Sequence, residues 1–364
     1  MLERLKQKFS VFYTRQESRL EIGFFVGGFL IDVLFISEID DLFSIAQQAL
    51  YILSIAAVIH HEILFRMLKW RPVGFAEKIW GYRNLILHFL LGSLLSLYSL
   101  FYIKSSSLFS SLIFLAAMIV LLVANELPAI KNAKVSFKVG LFAICLFSFM
   151  SILFPLILGF VGWIPFLLSV ASTLGILYWQ FRMLKRNLED ERTLLKVLLF
   201  PGVSVLAVFT LFYFMGWIPP VPISVKQQGV YHLVEKKDGK YLLSTDNPWW
   251  KFWNSGDQNF MARDGDKIYF YAQIYSPARF SDQIFIRWQW KDPKVGWQKT
   301  DRIPMPIVGG RKEGFRGFAT KANYQPGDWR VIVETSMGHE ISRLSFEVNT
   351  NTDLVDRAFT VLER

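Results

Sequence analysis

The chain has 364 residues, of which 52% are hydrophobic, and carries a formal charge of +10. That charge divides almost evenly: residues 1–225 hold 19 Lys and Arg against 13 Asp and Glu, and residues 226–364 hold 21 against 17. Neither half has the dense basic stripe that nucleic-acid backbones require, and the single cysteine, Cys145, excludes an internal disulfide and a cysteine metal cluster.

Residues 1–21 mix acids with bases, and the apolar stretch behind them ends in SEIDD rather than a small-x-small site, so no cleavable signal peptide is expected. Leu2, Leu5, Phe9 and Phe12 recur at helical spacing with Arg4, Lys6 and Lys8 on other faces. This suits either an amphipathic helix on an anionic leaflet or a solvated helix leading into the first span.

Residues 22–214 hold apolar runs of bilayer length, about 20 residues at 1.5 Å each. The expected spans are 22–37, 42–65, 84–103, 107–126, 138–158, 163–184 and 194–214. The first is short and interrupted by Asp32, whose insertion costs about 2.5–3.5 kcal/mol, and its apolar neighbours can just carry that. Lys and Arg on alternate sides of these spans number 18 against 1. The richer side is cytoplasmic by the positive-inside rule, which puts the N-terminus in the cytoplasm and residues 215–364 outside.

A Pro-rich linker follows at 215–225, and beyond it the apolar period changes from 3.6 to 2. Ile268, Phe270, Ala272 and Ile274 share one face of a strand at 267–276. Ile284, Ile286, Trp288 and Trp290 oppose Phe285, Arg287 and Gln289 at 283–290. Further strands are expected near 229–234, 240–244, 297–301, 303–308, 314–320, 328–335 and 341–348, with a tail at 351–364. Short alternating strands at this spacing predict an immunoglobulin-like antiparallel β-sandwich over 226–350. The expected fold class is therefore α + β in separate domains.

Trp288-Gln-Trp290, Glu313-Gly-Phe-Arg-Gly-Phe318, Pro326-Gly-Asp-Trp-Arg-Val331 and Ser345-Phe-Glu-Val348 carry a resemblance. On these residues the last third of the chain resembles the uncharacterised bacterial domain-of-unknown-function family 2914. The resemblance implies an extracytoplasmic β domain carried by a bacterial membrane protein, in a Gram-negative envelope, and implies no activity.

Ionisable residues inside a membrane are functional candidates because they are costly to keep there. Asp32 is one. His60, His61, Glu62, His88 and Glu126 fall at one depth near the cytoplasmic ends of three spans, beside Asn125. Zinc ligation, proton relay and ion binding suit such side chains, as do hydrogen bonds between helices and snorkelling to headgroups. His60 and His61 point about 100° apart, so one metal does not easily take both. In the β domain, Trp249, Trp250, Phe252 and Trp253 flank Lys251 and suit a stacked sugar or peptide, the membrane interface, or the sandwich core. Arg311, Lys312 and Arg316 form either a small anion patch or a solvated loop.

GxSxG, Walker A and GxGxxG-after-strand patterns are absent. The expected protein is a non-enzymatic component of the bacterial inner membrane, without a cofactor. Its periplasmic sandwich would recognise an envelope protein, a glycan or a lipid, and nucleic acid is not among the expected partners. A transporter or intramembrane enzyme built on the bundle, and a scaffold subunit of a membrane complex, are the alternatives.

Overall fold

The computed structural model describes residues 40–125, 134–188, 190–248, 250–251, 254–277, 280–308, 314–350 and 357–364. Asp41 opens the first described helix, α1 (Leu42–Arg66), by accepting a hydrogen bond from the Ser44 amide at 2.9 Å. After a short helix α2 (Phe75–Gly81) come α3 (Arg83–Lys104), α4 (Leu108–Asn125), α5 (Val135–Leu158), α6 (Trp163–Lys185) and α7 (Glu191–Phe214). These ends fall within a few residues of the expected spans. The first expected span and the segment before it lie outside the described residues.

Five of these helices, α1, α3, α5, α6 and α7, are long and apolar enough to cross a membrane, and α4 is a shorter apolar helix. Leu50, Leu53, Phe89, Val120, Leu167, Trp179, Phe200 and Leu211 point outward from them. Water would not tolerate that much exposed apolar surface; hydrocarbon does. Two side-chain hydrogen bonds join helices, of the kind that stabilises packing in a bilayer. The Tyr102 hydroxyl on α3 donates to Ser148 on α5 at 3.2 Å, and the Gln180 amide on α6 donates to the Ala56 carbonyl on α1 at 3.0 Å. Gly202 lets α7 approach α6, since a Cβ there would sit 2.5 Å from Leu177. Within α7 the turn Leu195–Leu199 widens to a π-helix directly before Pro201, which cannot donate to the Val197 carbonyl.

Two compact units result. One comprises Met1–Tyr102, Ile113–Phe154 and Phe166–Met215; the other comprises Ile103–Leu112, Pro155–Pro165 and Gly216–Arg364. The second unit holds the strands β1 (Ser224–Tyr231), β2 (Leu233–Lys237), β3 (Lys240–Thr245), β4 (Asn259–Ala262), β5 (Ile268–Tyr275), β6 (Ser281–Asp292), β7 (Gly296–Val308), β8 (Phe315–Lys321), β9 (Gly327–Thr335), β10 (Glu340–Thr350) and β11 (Thr360–Glu363).

They form a sheet β1-β5-β8, a sheet β4-β10-β9-β6-β7 and a small sheet β11-β3-β2. Among the described residues these strands pair antiparallel except β4 with β10, and a single parallel bridge joins Val230 to Gly256. The first two sheets bury one core between them, in the manner of a β-sandwich, with Phe270, Ala272 and Ile274 of β5 facing Ile286, Trp288, Trp329 and Val331. Val161, from the Pro155–Pro165 segment, joins that core.

The other face of β5 is not open to solvent, as simple alternation suggests. Tyr271 packs there against Tyr231, Val234, Tyr241 and Leu243, so the small sheet makes a third layer. The strand expected at 229–234 is divided between β1 and β2 at His232, and Thr360–Glu363 in the expected tail pairs with β3. The strands expected at 297–301 and 303–308 are one strand, β7, in spite of Pro304 and Pro306. As the edge of its sheet, β7 tolerates the two missing donors.

Candidate functional site

In the helical unit, Glu62 on α1 is 1% exposed. Its two carboxylate oxygens accept from Arg66 at 2.8 Å and from Arg83, at the start of α3, at 2.6 Å. Arg83 also lies 5.3 Å from the Trp80 ring of α2. Close by, the Lys138 ammonium of α5 donates to the Asn84 amide oxygen at 2.7 Å, and the Asn125 amide donates to the His88 carbonyl at 3.4 Å. Asn125 at the end of α4 thus meets His88 of α3, and Glu62 near the end of α1 meets Arg83 at the start of α3. His61 turns elsewhere: its Nδ1 lies 2.8 Å from the Ala57 carbonyl and its ring 4.9 Å from Trp70. His60 meets His61 edge-on at 5.6 Å. Asp32 and Glu126 lie outside the described residues. Among the described residues no group of three His, Cys, Asp or Glu side chains could hold a metal.

The β unit contains a cleft of about 560 Å³ beside the aromatic segment. Asp257 does not line it but holds the loop that brings Asn247 to it. One carboxylate oxygen of Asp257 accepts from the Thr245 hydroxyl at 2.6 Å and from the Asp246 and Asn247 amides at 2.9 and 3.0 Å. Asn247 in turn donates to the Lys251 carbonyl at 3.2 Å and accepts from Asn254 at 3.2 Å. Gly256 then lets the loop lie along β1. Its φ is +73°, and a Cβ there would fall 2.2 Å from the Val230 carbonyl.

Lys226, Lys251 and Arg364 line this cleft with Gln228, Asn247 and Ser342, and no Asp or Glu side chain is among the described residues that line it. The Lys251 ammonium lies 5.1 Å from the Trp250 ring, which is 50% exposed. Trp249, Phe252 and Trp253 lie outside the described residues, as do Arg311 and Lys312. Trp288 and Trp329 are core residues, and Trp290 packs against that core only partly buried.

Behind the cleft, His232 Nε2 lies 3.9 Å from the second Asp257 oxygen, and the His232 ring stacks on Phe260 at 4.1 Å. Burial pushes Asp257 up to about 6 against its three hydrogen bonds, and pushes His232 down to about 4, with Arg357 adding repulsion. Sequence reasoning missed Asp257, Lys226 and Arg364. The turn Asn254-Ser-Gly-Asp257 is the local signal that could have located the first; the other two are brought to the cleft by strand pairing.

Apolar helices of bilayer length joined to a β-sandwich-like region are compatible with a membrane protein that carries an outer domain. The C-terminal region carries the domain described as a protein of unknown function (DUF2914), whose family model matches residues 281–348, from the start of β6 into β10. No curated protein matches the sequence.

Among solved structures, a β-glucosidase from Listeria innocua is 13% identical, with 32% of this chain and 16% of that chain covered and a TM-score of 0.21. An immunoglobulin-like protein from Pseudomonas aeruginosa is 13% identical, with 35% and 92% covered and a TM-score of 0.20. A β-glucosidase from Kluyveromyces marxianus is 14% identical, with 29% and 14% covered and a TM-score of 0.19. The chain thus spans about a sixth of either glucosidase. Likenesses this distant carry no argument about fold or function here.

Proposed function

We propose that this is a non-enzymatic integral protein of the bacterial inner membrane, whose seven-helix bundle anchors an immunoglobulin-like periplasmic domain that recognises an anionic envelope ligand. The basic cleft is the observation that carries the reading. Three cations, amides and hydroxyls around about 560 Å³, with no carboxylate side chain among the described lining residues, suit an acidic glycan or an acidic protein segment better than an apolar ligand. The chemistry of the helical unit supports anchoring over catalysis, because both Glu62 oxygens are taken by arginines and Lys138 and Asn125 are bonded to α3.

Full-length protein in zwitterionic nanodiscs, titrated with polygalacturonate and with dextran as the uncharged control, tests it. The expected result is salt-sensitive binding of polygalacturonate alone, weakened at least about tenfold by Lys226→Glu with Lys251→Glu. Equal binding by wild type and variant would place the ligand elsewhere.

A further inference from the structure

A second depression in the β unit shares no lining residue with the basic cleft and stands without it. It measures about 350 Å³, at the small end of ligand pockets (about 300–1,000 Å³), and lies where the sandwich core opens at the ends of β6 and β9. All of its lining residues fall within 281–348, the segment that the family model matches.

Its floor is aromatic. Trp290 and Trp329 are directly opposed across β6 and β9, with Trp329 in the core and Trp290 only partly covered. Both indole N–H groups are already used: Trp290 donates to the Pro326 carbonyl at 3.2 Å and Trp329 to the Gln325 carbonyl at 2.8 Å. The Tyr324 hydroxyl donates to the Asp266 carbonyl at 2.9 Å. The rings therefore offer faces and edges to an occupant, rather than hydrogen-bond donors.

Its rim is polar, and a bulge puts it there. Trp288 pairs with Asp301 but Gln289 pairs with Lys299, so Thr300 is an extra residue in β7. Consecutive strand residues normally point to opposite faces; here Thr300 and Asp301 both line the depression. Asp301 forms an ion pair with Lys321, whose ammonium lies 5.3 Å from the Trp329 ring and whose residue is only 8% exposed. The exposed Asn323 amide completes the rim.

We infer that this depression is a binding site for one uncharged pyranose ring of a glycan. A sugar has an apolar C–H face for the indoles and a ring of hydroxyls that donate and accept. Asp301, Lys321 and Asn323 supply both kinds of partner at the edge of the aromatic floor. The two charges cancel one another, so the site calls for no net charge in its occupant, unlike the basic cleft.

The test is saturation-transfer NMR and calorimetry on the full chain in zwitterionic nanodiscs, with chitotetraose and cellotetraose as probes. At least one tetrasaccharide is expected to bind saturably. Trp290→Ala should weaken it about tenfold. Asn323→Ala, at an exposed position that the fold does not need, should weaken it several-fold. Lys226→Glu with Lys251→Glu, which tests the basic cleft, should leave it unchanged. Absence of saturable binding by folded wild type to either probe would overturn the inference, and so would binding unchanged by Asn323→Ala and Trp290→Ala together. Loss of binding only in the Lys226/Lys251 variant would move the sugar to the cleft and overturn it equally.

Discussion

Asp257 and His232 put two opposed titrations at one buried spot. Asp257 is raised to about 6 from an unfolded value of about 3.9, so its share of stability is full below pH 4 and is lost as the pH rises through 6. His232 is lowered to about 4 from about 6.5, so its share is full above pH 6.5 and is lost as the pH falls toward 4. Between those limits folded and unfolded chains hold the same number of protons at this pair, carried by the carboxyl in one and the imidazole in the other. Each arm is worth about 3 kcal/mol at about 1.4 kcal/mol per unit. Asp257→Asn should therefore lose stability relative to wild type as the pH is lowered from 6.5 to 4, and His232→Phe should gain it. Thermal unfolding of the three proteins across that range checks this; parallel pH profiles would show that the pair does not titrate as described.

Elements were legible where one strong period ran unbroken. Six helices appear within a few residues of their expected ends because apolar runs of about 20 residues have few other structures to adopt. The strand face of Ile268, Phe270, Ala272 and Ile274 was legible for the same reason. Features set by partners distant in sequence were not: the third sheet that covers Tyr271, the parallel pairing of β4 with β10, and the bulge at Thr300.

The candidate sites divide the same way. The sequence could mark Glu62 and the Trp249–Trp253 stretch as unusual, yet Arg83 and Lys138 come near Glu62 only through packing of α3 and α5. That packing can be tested at the element scale. Glu62→Gln keeps the shape and strands Arg83 without its carboxylate, at a cost of about 3–5 kcal/mol for a buried pair with one partner removed. A clear drop in the melting temperature of the solubilised protein is expected, and a smaller one for Arg66→Gln, whose side chain is half-exposed. A Glu62→Gln protein as stable as wild type would mean that the network does not tie α1 to α3.

For the whole molecule, the two compact units supply a parity argument independent of charge. Ile103–Leu112 joins α3 to α4, Pro155–Pro165 joins α5 to α6, and Gly216–Arg364 follows α7; all three belong to the unit that holds the β-sheets. Helices that cross a membrane in succession put alternate connections on one side, and these are alternate connections. Lys104 is the only Lys or Arg in the first two of these segments, while 66–83 and 182–196 carry five each and the stretch between α4 and α5 carries Lys131 and Lys134. On the proposed reading, the positive-inside rule would give the direction, with the Lys- and Arg-rich connections cytoplasmic and the β unit outside. In the proposed orientation the basic connection at 66–83 would meet a cytoplasmic headgroup layer, with Leu68, Val73, Phe75 and Tyr82 exposed there beside Lys69, Arg71 and Lys78.

Because Cys145 is the sole cysteine, a Cys145→Ala background allows single cysteines to report this directly. In intact spheroplasts a membrane-impermeant maleimide should label Ser336→Cys and Lys294→Cys, and should reach Lys78→Cys and Arg186→Cys only after permeabilisation. The opposite pattern would keep the parity and reverse the orientation, placing both proposed ligand sites in the cytoplasm. Labelling of all four positions before permeabilisation would break the parity itself, and with it the arrangement of successive spans.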